Sequence, residues 1–254
     1  MSAIKNGPFP RPMLLGHRGA GGEAPENTWP AFEAARRAGM DGFEIDVLST
    51  VDGVPVVVHD LTLERIVGGR GTISSMPWKS ISRLDVGSHF HPRYAGERVP
   101  RLEDVLDHYG GDLILDIEIK GISPMSAGLE EMVVGLVRER DLSDRVILSS
   151  FNPLTIMRLK RMAPEIRTGF NYISDFMKDI RRLWFAPFLP TFSKHPQPWA
   201  VDEMYVKRQH KKGIWVIPWA VNDDAEITRL LGLDIDGLIS DYPSRLRKLT
   251  GNLR

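Results

Sequence analysis

The 254-residue chain has no cysteine, which removes disulfides, thiolate zinc sites and cysteine nucleophiles together. Any metal must then be held by carboxylates, carbonyls or imidazoles. The chain also lacks a charge of one sign: 33 basic and 33 acidic side chains cancel. A non-specific nucleic-acid or anionic-membrane binder usually carries a basic excess, so neither is expected here. No apolar run approaches the ~18 residues of a membrane span. The opening MSAIKNGPFPRP has no apolar stretch of the kind a secretory leader carries. These absences predict a cytoplasmic protein with no transmembrane segment, and a length that can bury a substantial core without staples.

What is present is a rhythm. Short apolar, β-branched-rich windows occur at Met13–Gly16, Gly42–Leu48, Leu113–Lys120, Arg145–Ser150, Thr168–Tyr172, more weakly near Thr191–Lys194, then at Ile214–Val221 and Gly237–Ser240. Helix-like stretches separate them at Thr28–Ala38, Met125–Arg140, Pro153–Met162, Asp175–Trp184, Val201–Lys212, Asp224–Leu231 and Ser244–Leu249. Asn152 and Pro153 read as N-cap and first residue of the third. Alternating β and α over one chain predicts a parallel sheet, and eight windows favour a closed (β/α)8 barrel in a single domain spanning 1–254.

One interval breaks the alternation. After Leu48, VDGVPVVVHD reads as a hairpin return turning at Asp52-Gly53. The stretch from Asp60 to about Tyr109 is far longer than the roughly 2–6 residues of an ordinary loop between barrel elements. A small inserted subdomain over 60–110, after the second strand, is expected.

The chemistry-bearing residues gather at strand ends. In FEIDVLST, Glu44 and Asp46 lie two apart and share one face of a strand; in LDIEIK, Asp116, Glu118 and Lys120 do the same. His17 ends the first strand and His59 ends the hairpin return. In a barrel these ends form the active face. Two carboxylates ~4 Å apart repel by roughly 4 kcal/mol at an effective dielectric of 20, so converging ones must be protonated, dispersed or bridged by a cation. An all-oxygen ligand set calls for a hard cation, Mg²⁺ or Ca²⁺. Arg18 and Lys120 beside it would hold an anion, and two imidazoles would supply acid and base. That combination suits phosphodiester chemistry.

Further motifs carry a resemblance. HRG at His17–Gly19, PENT at Pro25–Thr28, GMDGFEIDV at Gly39–Val47, TVDGVPVVVHD at Thr50–Asp60 and VPRLEDVL at Val99–Leu106 come first. IEIK at Ile117–Lys120, SFN at Ser150–Asn152, WAVN at Trp219–Asn222 and DGLISDYP at Asp236–Pro243 complete the set. Together and in this order they resemble the glycerophosphodiester phosphodiesterase family, whose fold is the TIM barrel. The resemblance implies hydrolysis of glycerophosphodiesters to glycerol 3-phosphate and an alcohol, with one divalent cation. It implies Glu44, Asp46 and Glu118 as metal ligands, His17 and His59 as the catalytic pair, Arg18 and Lys120 as phosphate contacts, and Trp219 as a wall of the substrate pocket. Which histidine is base and which is acid stays open. Ala220 and Ser240 stand where the family commonly has threonine.

For PENT itself the residues offer only a turn and an N-cap at Asn27 or Thr28, with no ligand role expected of Glu26. The segment 184–199 carries Trp184, Phe185, Phe188, Phe192 and Trp199. Ordinary packing is one reading; the other is an apolar wall for an acyl chain or a weak membrane-surface contact, favouring lysophospholipid-like substrates. Three functions are therefore carried forward: hydrolysis of deacylated glycerophosphodiesters, a lysophospholipase D-like or transphosphorylating activity on acylated substrates, and an inactive barrel that binds a phospho-ligand. The partner in each is a small phosphodiester or its product, and no oligomeric state follows from the sequence.

Overall fold

The structure, a computed structural model, describes residues 9–120, 128–172, 189 and 191–251. Its strands are Met13–Gly16 (β1), Gly42–Ser49 (β2), Pro55–Val57 (β3), Ile114–Ile119 (β4), Val146–Ser150 (β5), Arg167–Tyr172 (β6), Ser193–Pro196 (β7), Trp215–Val216 (β8) and Gly237–Ser240 (β9). Eight of them pair in parallel in the order β8-β7-β6-β5-β4-β2-β1-β9. The two ends of that path meet where Asp236 N–H donates to the Val216 carbonyl at 3.0 Å and Ile239 N–H to the Pro218 carbonyl at 3.1 Å. The result is a nearly closed (β/α)8 barrel.

Two strands depart from their windows. The weak window near Thr191–Lys194 forms a strand two residues later, and Ile214–Val221 contracts to Trp215–Val216. Pro218 explains the contraction: it has no N–H to give a ladder.

The helices between strands are Trp29–Arg37 (α1), Leu102–Tyr109 (α4), Leu129–Glu139 (α5), Pro153–Met162 (α6), Glu203–His210 (α7), Asp224–Leu231 (α8) and Pro243–Thr250 (α9), with two single turns, Glu64–Val67 (α2) and Trp78–Ile81 (α3), in the long interval. Asn152 caps α6 by accepting from Leu154 N–H at 3.0 Å. Thr28 is the N-cap residue of α1, but its hydroxyl bonds the Pro25 carbonyl at 2.6 Å instead of the helix. The expected helix Asp175–Trp184, and Trp184, Phe185 and Phe188, lie outside the described residues.

Alternation along the strands sorts the barrel wall. Phe43, Ile45, Val47, Leu115 and Ile117 point outward and join the helix faces in the main core, where Phe32 stacks on Phe43 at 4.7 Å. The inward face grades along the axis. Met13, Leu15, Ile114, Ile147, Trp215 and Ile239 plug the end where the strands begin. In register above them come Glu44 beside Asp116 and Asp46 beside Glu118. The carboxylates of these two strands thus stand over an apolar floor.

The hairpin return forms as expected: β3 runs antiparallel to β2, with Val47 opposite Val57, and Gly53 takes φ +77° in the turn. Beyond it, Leu63, Ile66, Ile73, Ile81, Val86 and Val99 bury against Leu48, Val56 and Val58 in a cluster of their own. The end of the long interval behaves differently: Leu102, Val105, Leu106 and Tyr109 of α4 pack into the main barrel core.

Candidate active site

β1 delivers His17 because His17 N–H donates to the Ser240 carbonyl at 2.7 Å, which sets it against the end of β9. The turn that follows is tight. Arg18 takes φ 51° and Gly19 φ 82°, and a Cβ on Gly19 would lie 2.7 Å from the Ala31 carbonyl carbon, so only glycine lets this turn lie on α1. β2 and β4 bring Glu44, Asp46 and Glu118 together, each buried, with ligand oxygens all within 4.8 Å of one another. Val58 N–H donates to the Asp46 carbonyl at 2.9 Å and so carries His59 to the same end.

His17, Arg18, Asp46, His59, Glu118, Lys120, Phe151 and Trp219 line one cavity of about 360 Å³. Six of these eight were singled out in the sequence as catalytic, anion-binding or metal-binding. Trp219 was expected as a wall; its indole N–H donates to the His195 carbonyl at 2.8 Å, and its ring meets Phe151 edge-on at 5.3 Å and tilts against His17 at 6.2 Å. Phe151 had no assigned role. Glu44 stands just behind the lining, its Oε2 3.8 Å from His17 Nε2.

The carboxylate trio demands positive charge. Lys120 Nζ sits 2.7 Å from Asp46 Oδ1 and 2.6 Å from Glu118 Oε1, and Arg18 Nε lies 3.4 Å from Asp46 Oδ2. Burial and the neighbouring carboxylates Asp46 and Glu118 push the Glu44 carboxyl well up. Burial and Asp46 push Glu118 up as well. Burial acts the same way on Asp46, but Lys120 and Arg18 outweigh it and hold that carboxyl well below the usual range. Three buried carboxylates around one point, all offering oxygen, with an ammonium drawn between two of them, fit a hard divalent cation. This is the donor chemistry anticipated from FEIDV and IEIK.

Both histidines are fixed through the same nitrogen. His17 Nδ1 lies 2.7 Å from Asp241 Oδ1, and His59 Nδ1 lies 2.6 Å from Asp60 Oδ1. Burial opposes ionisation of Asp241, but the bond to His17 outweighs it and keeps the carboxyl below its usual range. Asp60 is held low in the same sense: burial opposes it, and the bonds from Arg65 and His59 win. An ionised carboxylate only accepts, so each Nδ1 carries the proton and each Nε2 is left as the free acceptor. Burial lowers the affinity of His59 for a second proton, with Lys120 and Arg18 acting in the same direction.

The residues that orient this machinery were mostly missed from sequence. Asp60 and Asp241 stood inside the quoted motifs without a role; an acid following a histidine at a strand end was the available signal for Asp60, whereas nothing local marks Asp241. Asn27 does not cap α1. It adopts φ 56° and its amide donates to Asp46 Oδ2 at 2.9 Å. Asn171 donates to Glu118 Oε2 at 3.1 Å, and Asn222 to Asp241 Oδ2 at 2.5 Å. Glu26 accepts from Arg18 Nη1 at 2.8 Å and is not one of the three converging carboxylates. His195 lies inward and fully buried, with Nε2 2.8 Å from Ser193 Oγ and Nδ1 3.4 Å from Asp116 Oδ2.

A family model described as the glycerophosphoryl diester phosphodiesterase family matches residues 17–245. The chain belongs to that family. It is 34% identical over 239 residues to a glycerophosphodiester phosphodiesterase of Caldanaerobacter subterraneus subsp. tengcongensis, covering 93% of this chain and 97% of that protein. Among solved structures it is similar to a phosphodiesterase of Oleispira antarctica in complex with its product sn-glycerol-3-phosphate, with TM-score 0.80, 29% identity and coverage of 95% and 98% of the two chains. It is also similar to a glycerophosphodiester phosphodiesterase from Agrobacterium tumefaciens, with TM-score 0.77, 28% identity and coverage of 93% and 99%. The family and its barrel are those that the motifs indicated.

Proposed function

We propose that the protein hydrolyses glycerophosphodiesters to glycerol 3-phosphate and an alcohol, using His17 and His59 as its acid–base pair. One observation carries this reading. Two imidazoles, each directing its Nδ1–H to a carboxylate, line one cavity with Arg18, Lys120 and two of the three converging carboxylates. A pocket that only held a phospho-ligand would need the cations but not a matched pair of oriented bases.

Glu44, Asp46 and Glu118 would hold the divalent cation, Mg²⁺ or Ca²⁺, and the ion when bound supplies electrophilic stabilisation of the phosphoryl oxygens. This chain's own groups do the rest. Arg18 and Lys120 neutralise the diester as its charge builds up. One histidine Nε2 takes the proton of the glycerol hydroxyl next to the phosphate-bearing carbon as that oxygen attacks phosphorus. The other histidine, in its protonated form, gives its proton to the departing alcohol oxygen. A cyclic phosphate results; water opens it with the two histidines exchanging roles, and glycerol 3-phosphate leaves. Trp219 and Phe151 wall the glycerol side and limit water.

Release of glycerol 3-phosphate from glycerophosphocholine, measured with and without EDTA, tests this directly. Loss of the rate on chelation and its return with Mg²⁺ or Ca²⁺ is expected. An unchanged rate would remove the metal from the scheme.

The acylated-substrate reading draws on Trp199, which is 61% exposed beyond β7. Turnover of the monoacyl analogue at a rate matching glycerophosphocholine would favour it, together with a weak membrane-surface contact by 184–199. No helix among the described residues is long and apolar enough to cross a membrane. Action in the cytoplasm, on one catalytic domain whose 60–110 interval is an insertion at the mouth of the site, completes the proposal. The separate apolar cluster under residues 63–99 supports the last part over that stretch, while α4 packs into the main barrel core.

A further inference from the structure

Glu26 and Asp60 each serve a different member of the site. Glu26 Oε1 accepts from Arg18 Nη1 at 2.8 Å, and Asp60 Oδ1 is 2.6 Å from His59 Nδ1. A third residue ties them. Arg65, in the turn α2 of the long interval, donates from Nη1 and Nη2 to Glu26 at 2.8 and 2.6 Å, and from Nε and Nη2 to Asp60 at 2.6 and 3.0 Å. Its guanidinium is thus doubly bonded to both carboxylates at once, with Nη2 shared between them.

We propose that Arg65 is a positioning residue that locks Glu26 to Asp60 and so sets Arg18 and His59 at a fixed separation across the cavity. The inference rests on the roles given above to Arg18 and His59. An exposed ion pair ordinarily contributes little and orders little. This one differs in three ways. Both acids are largely buried, with side-chain exposures of 14% and 18%. Each acid already bonds a residue of the cavity. The contact bridges 39 residues of sequence, from the loop before α1 to the start of the insertion. Without Arg65, Asp60 keeps only its bond to His59 and can swing with the imidazole, while Glu26 keeps only Arg18. A lysine offers a point charge without the planar fork, so it can neutralise the acids but not span them with four directed bonds.

The insertion thereby acquires a role besides covering the barrel. It supplies the part that joins the anion-binding arginine to one of the two imidazoles.

Arg65 is itself half exposed, so its removal leaves the apolar clusters untouched. The test compares wild type, Arg65→Ala and Arg65→Lys by turnover of glycerophosphocholine and by ¹⁵N-edited NMR of the histidine side chains. Arg65→Ala should lower kcat roughly 10- to 100-fold, the size typical of removing a group that orients a reacting one, with KM changed much less. Arg65→Lys should recover only part, and added guanidinium should rescue Arg65→Ala but not wild type. In the spectra the His59 Nδ1–H signal should broaden or vanish in Arg65→Ala while the His17 signal persists. A kcat within two-fold of wild type together with an unchanged His59 signal would overturn the proposal. If wild type itself fails to turn over glycerophosphodiesters, the substrate reading falls, and the His59 signal alone decides the clamp.

Discussion

His17 Nδ1 rests 2.7 Å from Asp241 Oδ1, and Asp241 is in turn held through its other oxygen by Asn222. The carboxylate fixes both the tautomer and the ring plane of His17, which leaves Nε2 facing the cavity. Asp241→Asn keeps the shape but reverses a hydrogen-bond polarity, so His17 loses its preferred tautomer. We expect kcat to fall by roughly 10²-fold or more, by analogy with the size of the tautomer effect in histidine-based hydrolases, with an unchanged melting temperature. Steady-state kinetics and a thermal melt on the same sample check it.

The imidazoles themselves should matter at least as much. His17→Ala and His59→Ala should each lower kcat by ~10² or more, the usual size of a general acid or base contribution. Circular dichroism should show both variants folded. Unfolding of either would assign that histidine to the architecture instead.

Asn27 and Asn171 orient Asp46 and Glu118 by single amide hydrogen bonds of 2.9 and 3.1 Å. Replacing either by alanine leaves that carboxylate held from the Lys120 side, with Arg18 also at Asp46, and leaves the other two in place. Affinity for Mg²⁺ or Ca²⁺, read by calorimetry, should weaken roughly 10- to 100-fold, as is usual when a group supporting a ligand is removed. Equal affinity in both variants would show that the carboxylates need no such support.

Asp116 provides a pH dependence of stability. Burial pushes its carboxyl up to about 7, and the neighbouring carboxylates Glu118 and Asp46 act in the same direction. The folded state therefore binds this proton at pH values where the unfolded chain, titrating near ~3.9, has released it. Stability from this group is complete below about pH 4, declines as pH rises, and is lost above about pH 7. Asp116→Asn should flatten that decline and raise the melting temperature at pH 8. Melts in EDTA, from pH 4 to 8, keep any bound cation out of the comparison.

The parts of this fold that were readable in sequence are those set by local periodicity. FEIDV and LDIEI alternate with a period of two, so their carboxylates had to share one face and their apolar residues the other, whatever the fold. The eight windows and their crossover helices then left few topologies. The least regular windows were the ones misplaced: SKHP at β7 is polar because it faces a polar layer of the barrel interior, and β8 is cut short by Pro218. Asn27 and Thr28 were both candidates for the helix cap, since either residue type before a helix usually is one, and Thr28 takes that position. A left-handed backbone turned the Asn27 amide toward Asp46 instead, and no local pattern encodes that.

Sequence alone therefore determined which residue types the site would contain: two histidines at strand ends, three carboxylates on inward faces, an arginine and a lysine beside them. Tertiary structure decided how they are held. Asp241 reaches His17 across 224 positions, and Arg65 reaches Glu26 across 39. Contacts of that span depend on barrel closure and on where the long interval folds back. Periodicity reports the direction of a side chain, but only packing brings its partner within hydrogen-bond distance.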